Sequence, residues 1–159
     1  MKLELYQIDA FTESVFHGNP ACVVPLKNWL PDEILLKIAR ENAVAETAFF
    51  IDNGDSIHLR WFTPEINLDP GGVIVTSEGT DSDFVSRYFT PQSSILEDPV
   101  TGSAHCSLIP FWSSRLGKDQ LFARQISERG GQLYCENKKE RVIVAGKAQT
   151  YSVGHFRVE

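Results

Sequence analysis

Cysteine is scarce in this chain of 159 residues, and Cys22, Cys106 and Cys135 are an odd number without paired ligand spacing. That excludes a disulfide framework and a thiolate metal module, and fits a reducing compartment in which each is a small buried side chain. Positive charge is also short: 15 Lys and Arg stand against 21 Asp and Glu, a formal net charge of −6. A basic face wide enough to follow a phosphate backbone is not expected, so nucleic acid is not among the expected partners. No apolar run approaches a membrane span, and Met1 to Gln7 alternates polar and apolar residues where a signal peptide would open. No membrane association is expected, and the location expected is cytoplasmic. What is present is ordinary for a globular chain: 42% apolar, 23% charged and 11% aromatic residues, enough for a sizeable core.

The elements read as α+β with a strand majority. Leu3 to Asp9 and Ala21 to Pro25 carry strand patterns, separated by the turn-rich Phe16-His17-Gly18-Asn19-Pro20. Trp29-Leu30-Pro31-Asp32-Glu33 opens a helix, because proline suits a first turn and acids suit the positive helix end; Ile34, Leu35, Ile38 and Ala39 share one face up to about Asn42. Glu46 to Ile51 and Ser56 to Thr63 form a hairpin across Asp52-Asn53-Gly54-Asp55. Residues 1–69 are therefore expected as β-β-α-β-β. In 70–159, strands are expected at Val73 to Thr76 and Phe84 to Phe89. A helix comes next, from Thr101, its N-cap, to Leu116, with Gly117 as its stop, and four more strands come after it. Ala104, Leu108, Ile109, Phe111 and Trp112 spread apolar surface around most of that helix, as enclosure by sheet requires.

One repeat is visible: Arg60-Trp61-Phe62-Thr63-Pro64 returns as Arg87-Tyr88-Phe89-Thr90-Pro91, each copy closing a strand. The pattern suggests two related lobes, each sending a strand towards a helix N-terminus. Only the second copy runs on into such a helix, through Glu97-Asp98-Pro99-Val100-Thr101-Gly102-Ser103-Ala104; the first meets Asp69-Pro70-Gly71-Gly72 and a strand.

Four residues are candidates for chemistry. Asp98 precedes a helix end where Gly102 permits close approach of a ligand and Ser103 offers a hydroxyl, so an anion fits there. Capping of the helix by Asp98 and Thr101 is the plainer alternative. Glu46 is the one acid within Ala43 to Phe50, where desolvation would raise its pKa towards neutrality and suit it to take and return a proton. Its alternative is to point outward at the mouth of its strand. His105 and Cys106 are neighbours that diverge on a helix and are expected to pack. His17, His58 and His155 have no ligand spacing, and no metal or nucleotide cofactor is expected.

Taken together, Tyr6-Gln7-Ile8-Asp9-Ala10-Phe11-Thr12, Phe16 to Ala21, Glu46-Thr47-Ala48-Phe49-Phe50, Arg60 to Pro64, Asp83 to Arg87 and Glu97 to His105 resemble the PhzF-like phenazine-biosynthesis family, in the diaminopimelate-epimerase-like superfamily. The resemblance implies a cofactor-independent isomerase with sheet wrapped around a central helix in each lobe. It makes Glu46 the acid/base carboxylate, Asp98 a second acidic site residue, and Gly102 with Ser103 the group that holds a small carboxylated, dihydro-hydroxyanthranilate-like substrate.

This sequence departs from the family after Asp69, where a Cys-Gly-His-Ala-Thr type segment and a long internal stretch have no counterpart. The resemblance then implies a truncated fold: a partial first lobe, 1–69, and a partial second lobe, 70–159, with its central helix near 102–115. Losing the first central helix uncovers apolar strand faces, at about 25 cal/mol per Å² of apolar area. Either the remaining strands rearrange around the helix at 102–115, or a homodimer or other self-association covers them, and a catalytically inactive remnant acting as a binding or association module is the alternative to an isomerase.

Overall fold

Period-two alternation and Gly- or Asp-rich turns set most of the architecture. In a computed structural model, which describes residues 1–64, 72–91 and 95–158, they give an α+β chain with two mixed sheets. Among the described residues the elements run β1 (Lys2–Ala10), β2 (Asn19–Pro25), α1 (Asp32–Asn42), β3 (Glu46–Asp52), β4 (Ile57–Phe62), β5 (Val73–Glu78), β6 (Phe84–Phe89), α2 (His105–Leu116), β7 (Gln120–Gln125), β8 (Gly131–Asn137), β9 (Val142–Ala145) and β10 (Ala148–Arg157). The junction from Glu65 to Gly71, where the sequence departs from the family it resembles, lies outside the described residues.

The first unit holds the sheet β10-β1-β2-β3-β4 and α1. β2 and β3 run parallel with Val24 beside Phe49, so α1 is the crossover that a parallel pair demands. Pro31 precedes the helix, Asp32 and Glu33 occupy its first turn, and Leu35, Ile38 and Ala39 bury its sheet-facing stripe. Leu35 and Ile38 pack with Leu3, Val24, Leu26 and Phe49, and Phe62 meets Phe49 edge to face at 5.8 Å. The β3–β4 hairpin turns as expected: the Gly54 N–H donates to Asp52 Oδ1 at 2.8 Å and the Asn53 N–H to the Ser56 carbonyl at 3.0 Å.

Across this hairpin, Ala48 pairs with Trp61, Phe50 with Leu59 and Asp52 with Ile57. Strand alternation puts that row on the side away from Phe62 and α1. No described element of this unit covers it: Ile57, Leu59 and Trp61 are 65%, 55% and 66% exposed.

The second unit holds the sheet β5-β6-β7-β8-β9, α2 and residues 10–19. β6 and β7 pair in parallel with Phe84 beside Ala123 and Ser86 beside Gln125, and α2 is again the crossover. The core joins Phe84, Val100, Leu108, Ile109, Trp112, Leu121, Ala123 and Leu133. Phe84 stacks on Trp112 at 5.7 Å and meets His105 at 5.8 Å. Residues 10–19 are tied down by Gly18, whose N–H donates to the Gly130 carbonyl. Gly18 has φ +66°, and a Cβ there would lie 2.0 Å from the Ala10 carbonyl oxygen, so only glycine makes this turn.

Four expectations change. Helix α2 starts at His105, one turn later than Thr101, because Gly102 to Ala104 form a tighter turn whose carbonyls accept at i+3, as from the His105 N–H to the Gly102 carbonyl. It buries one stripe, His105, Leu108, Ile109, Trp112 and Ser113, and leaves Phe111 43% exposed, since a single sheet covers only one side. Cys106, on the outer face, is exposed while Cys22 and Cys135 are buried. The chain also crosses the boundary expected at 69/70: β10 returns to pair with β1 in the first sheet.

Phe84→Ala is expected to cost about 3–5 kcal/mol in urea denaturation, as a buried aromatic between two rings. Trp61→Ser should stay within about 0.5 kcal/mol of the wild type. Equal losses would contradict the assignment of core and open face.

Candidate functional site

The loop that leaves β6 is folded back onto it before it reaches α2. Phe89 and Glu97 form a bridge, the Asp98 N–H donates to the Tyr88 carbonyl at 3.0 Å, and the Thr90 N–H to the Leu96 carbonyl at 2.9 Å. The Arg87 fork donates to both Glu97 oxygens, at 2.7 and 2.6 Å, and its guanidinium lies 4.9 Å from the Phe89 ring centre. This pairing holds the Glu97 carboxyl below its ordinary range. Asp98 is thereby set at the end of β6, and Val100, 1% exposed, drives the next turn into the core.

From the other side, β7 and the residues after it hold the same turn. Gln125 accepts from the Thr101 N–H at 2.8 Å and donates through Nε2 to the Asp98 carbonyl at 2.8 Å and to Thr101 Oγ1 at 3.2 Å. The Ser127 hydroxyl donates to the Pro99 carbonyl at 2.7 Å. The Thr101 hydroxyl donates to Asp98 Oδ2. Thr101 therefore serves Asp98 and does not cap α2, whose start has no side-chain cap.

The amides of Gly102, Ser103 and Ala104 precede the first helical acceptors and have no partner within the helix. Ser103 is exposed and Gly102 half-buried. A Cβ on Gly102 would lie 3.3 Å from the Phe11 ring, tight enough that the ring would have to give. The turn thus offers backbone donors, a hydroxyl and a carboxyl group to whatever approaches it, at the positive end of a helix.

Burial raises the Asp98 carboxyl above its ordinary value, and the Thr101 hydroxyl pulls in the opposite direction. Burial lowers His105, opposed by its Nδ1 contact with the Thr101 carbonyl at 2.9 Å. With Nδ1 carrying the proton, His105 is neutral and packs under the turn, as expected.

Of the sequence-predicted residues, Asp98, Gly102 and Ser103 are brought together in this turn. Glu46 belongs to the first unit: half-buried, it opens β3 beside Ala21 of β2, on the same side as Ala48. A groove lined by Asp32, Glu33, Leu36, Trp61, Phe62 and Thr63 contains none of the predicted site residues. Among the described residues, no group of three or more His, Cys, Asp or Glu is placed to hold a metal ion, and no helix is long and apolar enough to cross a membrane. Gln125, Ser127, Phe11 and the Arg87–Glu97 pair are missed by sequence reasoning. Only the last has a local signal, an acid following the second copy of the repeat.

A carboxyl whose folded pKa is raised contributes stability below its unfolded pKa, and that contribution is lost as pH rises through the folded value. Asp98→Asn should therefore be more stable than the wild type at pH 7, with the gap closing as pH falls towards 3.8. Thermal melts across that range check it; a variant less stable than the wild type at pH 7 would contradict the assignment.

The profile of the PhzC-PhzF family, phenazine biosynthesis-like proteins, matches residues 8–73 and 71–154. The chain is 31% identical to an uncharacterized isomerase of Pseudomonas aeruginosa, with 99% of this chain and 100% of the relative covered. That alignment is 260 positions long, so about a hundred positions of the relative face a gap here. The two profile segments meet at 71–73, beside the point where the sequence departs from its family. Among solved structures, it is similar to a phenazine biosynthesis protein of the PhzF family from Enterococcus faecalis, with TM-score 0.89, 31% identity and 99% and 100% of the two chains covered. It is also similar to a PhzC/PhzF protein from Clostridium difficile, with TM-score 0.84, 28% identity and 98% and 100% covered. Two mixed sheets, each with a helical crossover, a folded-back turn at the start of α2 and these matches make the chain a member of the PhzC-PhzF family of phenazine biosynthesis-like proteins.

Proposed function

We propose that the chain carries out an isomerase reaction: the movement of a proton within a small carboxylated substrate of dihydro-hydroxyanthranilate type, without an added cofactor. Glu46 takes the proton from one carbon and returns it to another, so the substrate keeps its formula and no electron acceptor is needed. Gly102 and Ser103 hold the carboxylate through backbone amides and a hydroxyl, and Asp98, held above its ordinary pKa by burial, meets a polar group of the same substrate. The observation that supports this reading most is the turn at 98–104, fixed from β6 and β7 yet presenting Ser103 to solvent. The names of the relatives, isomerases among them, agree with it.

A second reading, an association module without turnover, is favoured by the exposed row Ile57, Leu59 and Trp61. Such a row on an edge strand invites a second chain.

The isomerase reading expects deuterium from solvent to enter a turned-over dihydro-anthranilate analogue, and Glu46→Gln to reduce incorporation by at least about a hundredfold, within the usual range for a general base. Unchanged incorporation in Glu46→Gln would remove Glu46 from the mechanism. The association reading expects a concentration-dependent dimer or larger species in analytical ultracentrifugation, shifted to monomer by the double substitution Leu59→Ser, Trp61→Ser. A wild-type monomer at all concentrations would overturn it.

A further inference from the structure

The side chain of Gln125 is 1% exposed, an unusual place for a primary amide unless its hydrogen bonds are met. Here they are met by one turn. Oε1 accepts from the Thr101 N–H, one Nε2 proton goes to the Asp98 carbonyl and the other to Thr101 Oγ1. The amide cannot be reversed, because a flipped group would set a donor against the Thr101 N–H and an acceptor against the Asp98 carbonyl. This orientation constrains Thr101 in turn. A hydroxyl has one proton; with a Gln125 N–H aimed at its oxygen, the proton is free to point only at its other neighbour, Asp98 Oδ2.

We propose that Gln125 is a positioning residue for Asp98, aiming the Thr101 hydroxyl so that its single proton is donated to Asp98 Oδ2. The directed chain runs from the Gln125 amide through the Thr101 hydroxyl to the carboxylate, and it assigns the two carboxylate oxygens different roles. Oδ2 is occupied by Thr101, and Oδ1 is the oxygen left to meet a substrate. The parallel register of β6 and β7 makes this possible, since Ser86 beside Gln125 sets the amide level with the turn that leaves β6. The other ionisable groups of the turn do not compete: Glu97 is held by the Arg87 fork, and His105 is turned towards the Thr101 carbonyl. The assignment rests on reading Asp98 as part of the site, but its test does not depend on turnover.

The test is a carbon-13 titration of the Asp98 side-chain carboxyl in the full chain. Thr101→Val removes the donor and should move the Asp98 midpoint upward; Thr101→Ser keeps a hydroxyl and should leave it at the wild-type value. Gln125→Met should also move it upward, while lowering the melting temperature by several degrees. In the double variant Thr101→Val, Gln125→Met the midpoint should be no higher than in Thr101→Val alone, because the amide acts only through the hydroxyl. A Gln125→Met variant that melts earlier but titrates as the wild type makes Gln125 merely structural and overturns the proposal, as does a shift that adds in full to that of Thr101→Val. Should Gln125→Met fail to fold, the wild-type amide decides. Both Nε2 protons must exchange slowly with solvent, and rapid exchange of either overturns the assignment. A wild type that does not turn over the dihydro-anthranilate analogue would remove the isomerase reading while leaving these titrations as they stand.

Discussion

Parallel pairing of β6 with β7 is the constraint on which the candidate site depends. Two parallel neighbours cannot be joined by a hairpin, so the chain must leave β6, cross over as a helix and return, and the helix must begin near the end that β6 has just left. What could have been a loose connection is instead fastened on both sides. The Phe89–Glu97 bridge and the Arg87 fork hold it to β6, while Gln125 and Ser127 hold it from β7 and beyond. A helix start that is otherwise commonplace becomes a fixed set of donors beside a half-buried acid.

The first unit solves its own crossover in the same way, β2 to α1 to β3, and differs in the strand after it. Its copy of the repeated pentapeptide lies in an edge strand, where Arg60 stacks on Trp29 and Phe62 at 5.3 and 5.4 Å and pairs with Asp32. In the second unit Arg87 stacks on Phe89 and pairs with Glu97. The repeat is therefore a local device, an arginine over the aromatic ring two residues on and tied to an acid, used in strands with different places in their sheets. Only the second copy leads, within the described residues, to a helix start.

Much of this is legible in the sequence because it is encoded locally. Alternation places the ten described strands within a few residues, Pro31-Asp32-Glu33 opens α1, and Asp52-Asn53-Gly54 turns the β3–β4 hairpin. Asp98, Gly102 and Ser103 stand out as candidates because an acid, a glycine and a hydroxyl cluster just before a helical pattern, although helix capping is an equally local use of such residues. The start of α2 is displaced by one turn from its expected place: Thr101 looks like a cap from its neighbours alone, but its N–H is claimed by the distant Gln125 and its hydroxyl by Asp98. Gln125 itself is invisible, since a glutamine at the end of a strand reads as solvent-facing until the register with Ser86 places it inside. The exposure of Phe111 and Cys106 escapes sequence reasoning on related grounds, as an apolar helix does not reveal how many of its sides the sheet will reach.

The central claim is that the start of α2 grips a carboxylate. It is tested most directly by following the backbone amides of the full chain by nitrogen-15 NMR while anthranilate is added at fixed pH. The account predicts saturable shifts of the Gly102, Ser103 and Ala104 amides with a single dissociation constant. Amides that stay unmoved at those three positions while anthranilate reaches saturation elsewhere, or at concentrations where no binding is seen at all, would contradict it.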